Sequence, residues 1–190
     1  MQSIWENSAL HLPIISLIEA LGKALDSELK PFLPSILPMM LRVFDGDLQE
    51  KRQQIQMKVL DAFLTFGANI EEYLHLVIPN IIKSYERPEA FMALRTKAVQ
   101  TIDGLARRVN FSDHASRIIH PLVRILSSQN DELKKAVMDT LSSLVLQLGS
   151  DFAIFVPTIN KVNILITFRS LMLTSITLGN SEKRDSSFRI

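Results

Sequence analysis

Ser112, Asp113 and His114 carry the three kinds of side chain that a hydrolytic triad uses. A working triad needs these groups to converge from different parts of a fold, which three consecutive residues cannot do. Helix capping is a simpler role, since serine and aspartate are favoured residues at the start of a helix. We therefore predict that Ser112 or Asp113 caps a helix that runs to Leu126, with no catalytic role.

Metal, thiol and phosphate chemistry find no support in the sequence either. The chain has no cysteine, which excludes disulfides, thiolate nucleophiles and cysteine-ligated zinc. His114 and His120 are six residues apart and do not share a helical face, so we predict no metal site. The six glycines are scattered and form no phosphate-binding loop of the G-x-G-x-x-G or Walker type. We expect a protein without a cofactor and without enzymatic activity of its own.

The balance of charges narrows the range of partners. The 21 lysines and arginines nearly match the 20 aspartates and glutamates, for a formal net charge of +1. This balance gives no bulk attraction to nucleic acid or to an anionic membrane, so neither is predicted as a partner. The apolar stretch at 163–178 is interrupted by polar residues and is short for a membrane span. Because the chain starts without a signal peptide, the sequence favours a cytoplasmic protein without membrane insertion.

The elements of the fold follow a repeat. Four apolar segments each contain a proline, and successive prolines are separated by 41, 42 and 36 residues: Pro38, Pro79, Pro121 and Pro157. These spacings bracket the roughly 40-residue unit of HEAT and armadillo repeats. Each segment is predicted to be a helix A that its proline bends, whereas Pro13 and Pro31 are assigned to the first turns of helices.

Longer amphipathic stretches alternate with these segments and are predicted to be helices B. They cover residues 49–66, 91–109 and 131–148. Gly67 and Gly149 stand where the first and the last of them should end, and Asn130 supplies a cap for the last. Gly104 lies inside the middle stretch at a cost of about 1 kcal/mol relative to alanine, which weakens that prediction.

We predict an all-α fold, an α-solenoid of HEAT-type antiparallel helix pairs, because no such pair can bury its apolar face alone. The predicted units are a partial repeat at about 1–26 that keeps helix B and lacks helix A, repeats at 30–67, 70–109 and 113–149, and the start of a further repeat at 151–163. Residues 164–190 are a divergent tail, for which a final helix followed by a disordered end is one interpretation. Since neither end carries a polar cap, we expect concentration-dependent self-association.

Two basic residues, Arg95 and Lys134, stand one turn into predicted helices B. In HEAT-type repeats, a basic residue at this place commonly ties helix B back to the turn that joins it to helix A. The alternative is that both residues are plain solvent-exposed charges.

Several runs of residues resemble the middle HEAT section of the N-terminal solenoid of TOR-type serine/threonine kinases, in the phosphatidylinositol-kinase-related group. The similarity extends from about Leu12 to Val162, and the runs that carry it are 31–44, 66–76, 115–124, 138–149 and 155–162. The resemblance implies a non-catalytic scaffold in nutrient and growth signalling, because the catalytic machinery of that family lies far downstream. It also implies protein partners such as raptor or another TOR chain, and a cytoplasmic location that the parent complex could extend to endomembranes or the nucleus.

The resemblance ends after Val162, where the TOR solenoid is expected to continue into a helix rich in basic residues. The departure is expected for a truncated product, a splice variant or a gene-model artefact. A second interpretation of the whole chain is a free-standing HEAT-repeat adaptor that binds other proteins, similar in build to importin-like or phosphatase-scaffold solenoids.

Overall fold

The chain folds into α-helices joined by turns and 3-10 segments, as a computed structural model of residues 2–45 and 50–160 describes it. These residues contain no strand, which confirms the predicted all-α class. The sequence also predicts a turn at residues 45–47 between the first complete helix A and its helix B; most of this turn lies outside the described residues. The tail predicted at 164–190 lies outside them as well. The helices are α1 (Gln2–Glu6), α2 (His11–Leu25), α3 (Leu33–Phe44), α4 (Glu50–Phe66), α5 (Leu74–Glu86), α6 (Met92–Ala106), α7 (Ala115–Ile125), α8 (Asp131–Leu148) and α9 (Val156–Asn160).

The helices pack in two layers. Helix α3 packs against α4, α5 against α6 and α7 against α8, which are the predicted A/B pairs. Helices α2, α4, α6 and α8 also pack in succession, and so do α3, α5, α7 and α9. The first series is a layer of B helices and the second a layer of A helices, so the fold is the predicted α-solenoid.

The apolar core runs along the junction of the two layers. Each central B helix contributes a group of buried side chains, for example Leu60 and Phe63 of α4 and Val99 and Ile102 of α6. Burying one such side chain stabilises the fold by roughly 1.5–3 kcal/mol, so the stacked helices supply most of the stability. No single pair has a core of its own, because the buried residues form one continuous cluster.

Gly104 serves the contact between two B helices. A Cβ atom built on this residue of α6 would lie 2.5 Å from Cδ2 of Leu64 in α4. The glycine that weakens the sequence prediction of this helix is therefore the residue that admits the neighbouring leucine. Helix α6 itself ends at Ala106, three residues earlier than predicted.

Three B helices end at a residue with positive φ, where the chain turns toward the next helix A. Gly67 and Gly149 have φ values of 52° and 54°, and Asp26 has a φ of 45°. A 3-10 segment of seven residues follows in each case. Both glycines thus stand where the sequence predicts the helix ends. Asp26 adopts a conformation that side-chain-bearing residues rarely tolerate, so this turn is strained.

The prolines occupy different places in the A helices. Pro38, Pro79 and Pro121 lie inside α3, α5 and α7. Pro157 is the second residue of α9, where a helix needs no backbone donor, so the interpretation as a bend is wrong for this residue.

The two prolines assigned to first turns differ as well. Pro13 is the third residue of α2, as predicted. Pro31 instead lies within the 3-10 segment before α3, and Pro34 occupies the first turn of that helix, so the assignment of Pro31 is wrong.

Two stretches are long and apolar enough, by length and composition, to be candidate membrane spans. They are Ser8–Phe44 and Asp131–Asn160, each with a mean hydropathy of 1.3. Each stretch contains a B helix, a 3-10 turn and the start or the whole of an A helix, so neither is one straight helix. Their apolar residues include members of the continuous core, for example Leu37 and Leu141.

We expect Gly149→Ala to lower the free energy of unfolding by about 1–2 kcal/mol, because alanine disfavours a positive φ. No heavy atom lies within 4 Å of the place that the alanine Cβ would take, so the loss has a conformational origin and not a steric one. Urea unfolding followed by circular dichroism measures the change. Asp26→Gly is the reciprocal variant and should raise stability; an unchanged stability in both variants would contradict the assignment of strain.

Candidate functional site

The residues with triad chemistry form a turn. Ser112, Asp113 and His114 make a 3-10 turn before α7. Oδ1 of Asn110 accepts hydrogen bonds from the backbone N–H of Ser112 at 2.9 Å and from its hydroxyl at 2.7 Å. The residue at the N-cap of α7 is His114, which makes no side-chain capping bond, so the prediction that Ser112 or Asp113 caps this helix is wrong. Within 2–45 and 50–160, no three histidine, aspartate or glutamate side chains are grouped to hold a metal ion.

Arg95 joins helix B of its repeat to the end of helix A. Its Nε donates a hydrogen bond of 2.8 Å to the carbonyl oxygen of Tyr85, near the end of α5. The ring of Tyr85 is fully buried, and burial raises the pKa of its phenol above the ordinary value. Lys134 is placed differently, since its Nζ lies 3.3 Å from Oδ1 of Asp131 in the same helix. The two basic residues therefore do not make equivalent contacts.

The Arg95 contact is one of a series. In three repeats, a B-helix side chain donates to the carbonyl oxygen of an aromatic residue near the end of helix A: His11 Nε2 to Trp5 at 2.8 Å, Gln56 Nε2 to Phe44 at 2.7 Å and Arg95 Nε to Tyr85. The donors differ in type, so a search for basic residues alone finds one of the three.

Helix α1 takes the place that the end of helix A has in the following repeats. Trp5 is buried and precedes Phe44 by 39 residues, close to the repeat length. Its carbonyl receives the same kind of contact as those of Phe44 and Tyr85. The sequence predicts a first repeat that lacks helix A, and this is wrong for its final turn.

A second series of polar contacts links successive B helices. Lys58 Nζ lies 2.5 Å from a carboxylate oxygen of Glu19, and Lys97 Nζ lies 2.5 Å from one of Asp61. In the third step, the hydroxyl of Ser143 donates to Oδ1 of Asp103 at 2.5 Å. We call these three contacts the B-helix rungs. The sequence predictions missed them, although their acidic members are spaced by 42 residues, a regularity that is visible in the sequence.

Glu19 is the most buried acid of these rungs. Burial by itself opposes ionisation, but hydrogen bonds from Lys23 and Lys58 outweigh it and lower the pKa of Glu19 below its ordinary value of 4.5. The same contact raises the pKa of Lys58. The pair is therefore charged at neutral pH, and each partner stabilises the ionised form of the other.

The A helices carry a third series of contacts at their exposed edge. Lys83 pairs with Asp45, and Arg124 pairs with Glu86, each across one repeat. All four side chains are partly or largely exposed, so each pair contributes about 0–1 kcal/mol. Because each pair links the A helices of two successive repeats, the pairs constrain the position of one repeat relative to the next.

Side chains of the next repeat also donate hydrogen bonds to carbonyl oxygens at the ends of the B helices. Nη1 of Arg108 donates to the carbonyl oxygen of Leu64 at 2.7 Å. Nε2 of Gln147 donates to the carbonyl oxygens of Ala106 and Val109 at 2.5 Å and 2.7 Å. The last carbonyls of a helix have no partner within it, and here the next repeat supplies one.

We expect Arg95→Met to lower the free energy of unfolding by about 1.5–3 kcal/mol, because a charged donor to a buried helix end is lost. Lys134→Met is the matched control, since it removes an exposed pair within one helix and should change stability by less than about 0.5 kcal/mol. Urea unfolding of both variants makes the comparison. If Arg95→Met lowers the free energy of unfolding no more than Lys134→Met does, Arg95 is also a plain surface charge.

We expect the contribution of Glu19 to depend on pH. Because its pKa is lowered in the folded state, its carboxylate contributes fully above the unfolded pKa, and the contribution is lost as the pH falls through the folded pKa. At neutral pH, Glu19→Gln should cost about 2 kcal/mol, and the gap in unfolding free energy to the wild type should narrow as the pH falls below the ordinary pKa of 4.5.

Unfolding in urea across this pH range measures the gap. Asp131→Asn, which alters an almost fully exposed acid, serves as the control. A gap for Glu19→Gln that stays constant down to the lowest pH would contradict the lowered pKa.

Comparison with known proteins agrees with this architecture. A family model described as "Stalled ribosome sensor GCN1-like, HEAT repeats" matches residues 12–162. The chain is 50% identical over 159 residues to serine/threonine-protein kinase tor1 of Schizosaccharomyces pombe, which covers 83% of this chain. It is 42% identical over 152 residues to kinase TOR2 of Saccharomyces cerevisiae, covering 80% of this chain, and 36% identical over 197 residues to kinase mTor of Drosophila melanogaster, covering 96%.

The aligned part is a small fraction of these relatives. It makes up 7%, 6% and 8% of the three kinases, so the chain spans less than a tenth of their length. The similarity falls in their HEAT-repeat region and not in the kinase domain. With the repeated helix pairs of the fold, this match shows that the chain belongs to the HEAT-repeat family of that model and is similar to a HEAT-repeat segment of TOR serine/threonine kinases.

Proposed function

We propose that the chain is a non-catalytic scaffold segment of a TOR-type serine/threonine kinase, where it supports assembly of the complex in nutrient and growth signalling. The observation that carries the proposal is the similarity to TOR kinases over about four fifths of the chain, within a small part of their length. A segment of this kind acts through its shape and surface.

The contacts between repeats suit such a role. Polar contacts recur at the ends of the A helices, between B helices and at the ends of the B helices, and each type appears in more than one repeat. They join the repeats over a continuous core. A force that displaces one repeat therefore also displaces the next. A scaffold needs this property in order to hold distant parts of a complex in fixed positions.

Protein partners fit the exposed grooves between helices. An open groove of about 610 Å³ lies between α5 and α7, with Pro79 and Pro121 among its lining residues. Raptor and a second TOR chain are the partners that we propose from the resemblance, in the cytoplasm, with access to endomembranes or the nucleus through the parent complex. A free-standing adaptor would use the same surface without a kinase.

A chimera tests the scaffold role. Residues 12–162 would replace the aligned HEAT segment of the Schizosaccharomyces pombe kinase, to which the chain is 50% identical. We expect the chimera to copurify with the partners of the parental kinase and to support growth, because the repeat contacts are retained. The same chimera carrying Asp61→Lys, which sets two like charges at a B-helix rung, should assemble less well.

Copurification measured by quantitative mass spectrometry reads out assembly, with expression level as the internal control. A well-expressed chimera that loses the parental partners would contradict the proposal. If the isolated chain instead captures its own stable partners while the chimera fails, the adaptor function replaces the scaffold function.

A further inference from the structure

Helix α8 is the last B helix within residues 50–160, and one of its sides faces away from the stack. Thr140, Ser143 and Gln147 mark the side toward α6, because each donates a hydrogen bond to that helix. With 3.6 residues per turn, the opposite side of α8 carries a different set of residues. We call this set the far face: Met138, Ser142 and Val145.

Helices α6 and α8 correspond at a shift of 39 residues. Thr101 and Thr140 are both fully buried, and the hydroxyl of each donates to the carbonyl oxygen four residues earlier at 2.8 Å. Buried apolar residues also match at this shift: Leu94 with Leu133, Ile102 with Leu141 and Leu105 with Leu144. The side that α6 turns toward α8 can therefore be compared with the far face residue by residue.

An ion pair of α6 has no counterpart on α8. Asp103 and Arg107 pair at 2.9 Å, and their equivalents are Ser142 and Leu146. The hydroxyl of Ser142 donates to the carbonyl oxygen of Met138 in its own helix at 2.9 Å, so it needs no partner on another helix. Helices α2, α4 and α6 each offer an acid to the following B helix, whereas α8 offers a neutral and largely apolar face.

The far face is open where its equivalents on α6 are covered. Val99 and Ala106 correspond to Met138 and Val145, and they are only 0% and 6% exposed beneath α8. Met138 and Val145 are both partly exposed. Leu146, at the edge of the far face, is 71% exposed. An open apolar face of this kind marks a place where another segment binds.

The chain itself supplies a segment of matching chemistry. Thirty residues follow Asn160, and among them the apolar run at 163–178 contains one charged residue, Arg169. Helices α4 and α6 meet the acid of the preceding B helix with Lys58 and Lys97. A neighbour of the far face meets no acid and needs no such cation, so a nearly uncharged run suits it.

The length and the place of this run also fit. It begins three residues after Asn160 in α9, and α9 packs against α7, the helix A of the α8 repeat. As a helix, its sixteen residues would extend about 24 Å, compared with about 27 Å for the eighteen residues of α8.

From these observations we propose that residues 163–178 pack against the far face of α8 and close the B layer at this end. The run covers Met138 and Val145 as α8 covers Val99 and Ala106. Burial of apolar side chains on both partners drives the contact, and the short connection to α9 makes it intramolecular. This cap forms whether or not the chain serves as a kinase scaffold.

The reactivity of a single cysteine tests the cap, because the full chain has no cysteine of its own. Val145→Cys reports on the far face, and Leu17→Cys, at a 61% exposed position of α2, is the reference. We expect the first variant to react with a maleimide about tenfold more slowly than the second. Adding Phe168→Asp and Leu171→Asp should raise the rate of the first about fivefold, because charges in the run oppose its burial, and leave the second unchanged.

Phe188→Asp is the matched control, since it replaces an apolar residue of the tail outside the run. Circular dichroism verifies that each variant is folded. A rate for Val145→Cys that does not respond to the two aspartates, or that responds equally to Phe188→Asp, would overturn the proposal.

A cross-link identifies the occupant without placing any charge in the run. Val145→Cys is combined in turn with Leu171→Cys, Met172→Cys and Leu173→Cys, which sample different directions around the run, and each full-length double variant is treated with a short bis-maleimide. We expect cross-linked monomers for at least one pair. Cross-linked dimers in their place would assign the far face to a second copy, and the absence of any cross-link would show that the run does not lie there; either result overturns the proposal.

Discussion

The structure depends on the stacking of B helices, because no helix pair within residues 2–45 and 50–160 has a core of its own. Helices α4 and α6 each pack between two other B helices and also against an A helix of their own repeat. Gly104 shows how close this packing is, since a methyl group at that position would meet Leu64. The stability of any one repeat is therefore largely the stability of its interfaces with its neighbours.

Polar contacts make this stacking specific. An apolar layer alone would allow neighbouring helices to slide, whereas the acids at Glu19, Asp61 and Asp103 each receive a donor from the next B helix. Each contact also pairs an acid with a lysine or a hydroxyl of the next helix, so the acids of the B layer are compensated where they lie. One set of side chains thus joins the repeats and shapes the surface that a partner meets, which is the property expected of a scaffold.

The sequence predicts the fold well, since the period of Pro38, Pro79 and Pro121 and the places of Gly67 and Gly149 are local signals of helices and their ends. It predicts the contacts between repeats less well, because their partners lie about 40 residues apart and many charged residues could pair. Ser112 and Pro157 show the limits at helix starts, because a shift of a few residues in where a helix begins decides whether a side chain caps it and whether a proline lies in its first turn. Helix α1 escaped prediction because a single turn has no periodicity to detect.

Native-state amide hydrogen exchange followed by mass spectrometry tests the dependence on neighbours most directly. If the B-helix stack carries the stability, amides of α4 and α6, which have B helices on both sides, should exchange most slowly, and those of α2 should exchange faster. Exchange in α2 that is as slow as in α4 and α6 would contradict the account, because it would show that a repeat is stable without a neighbour on each side.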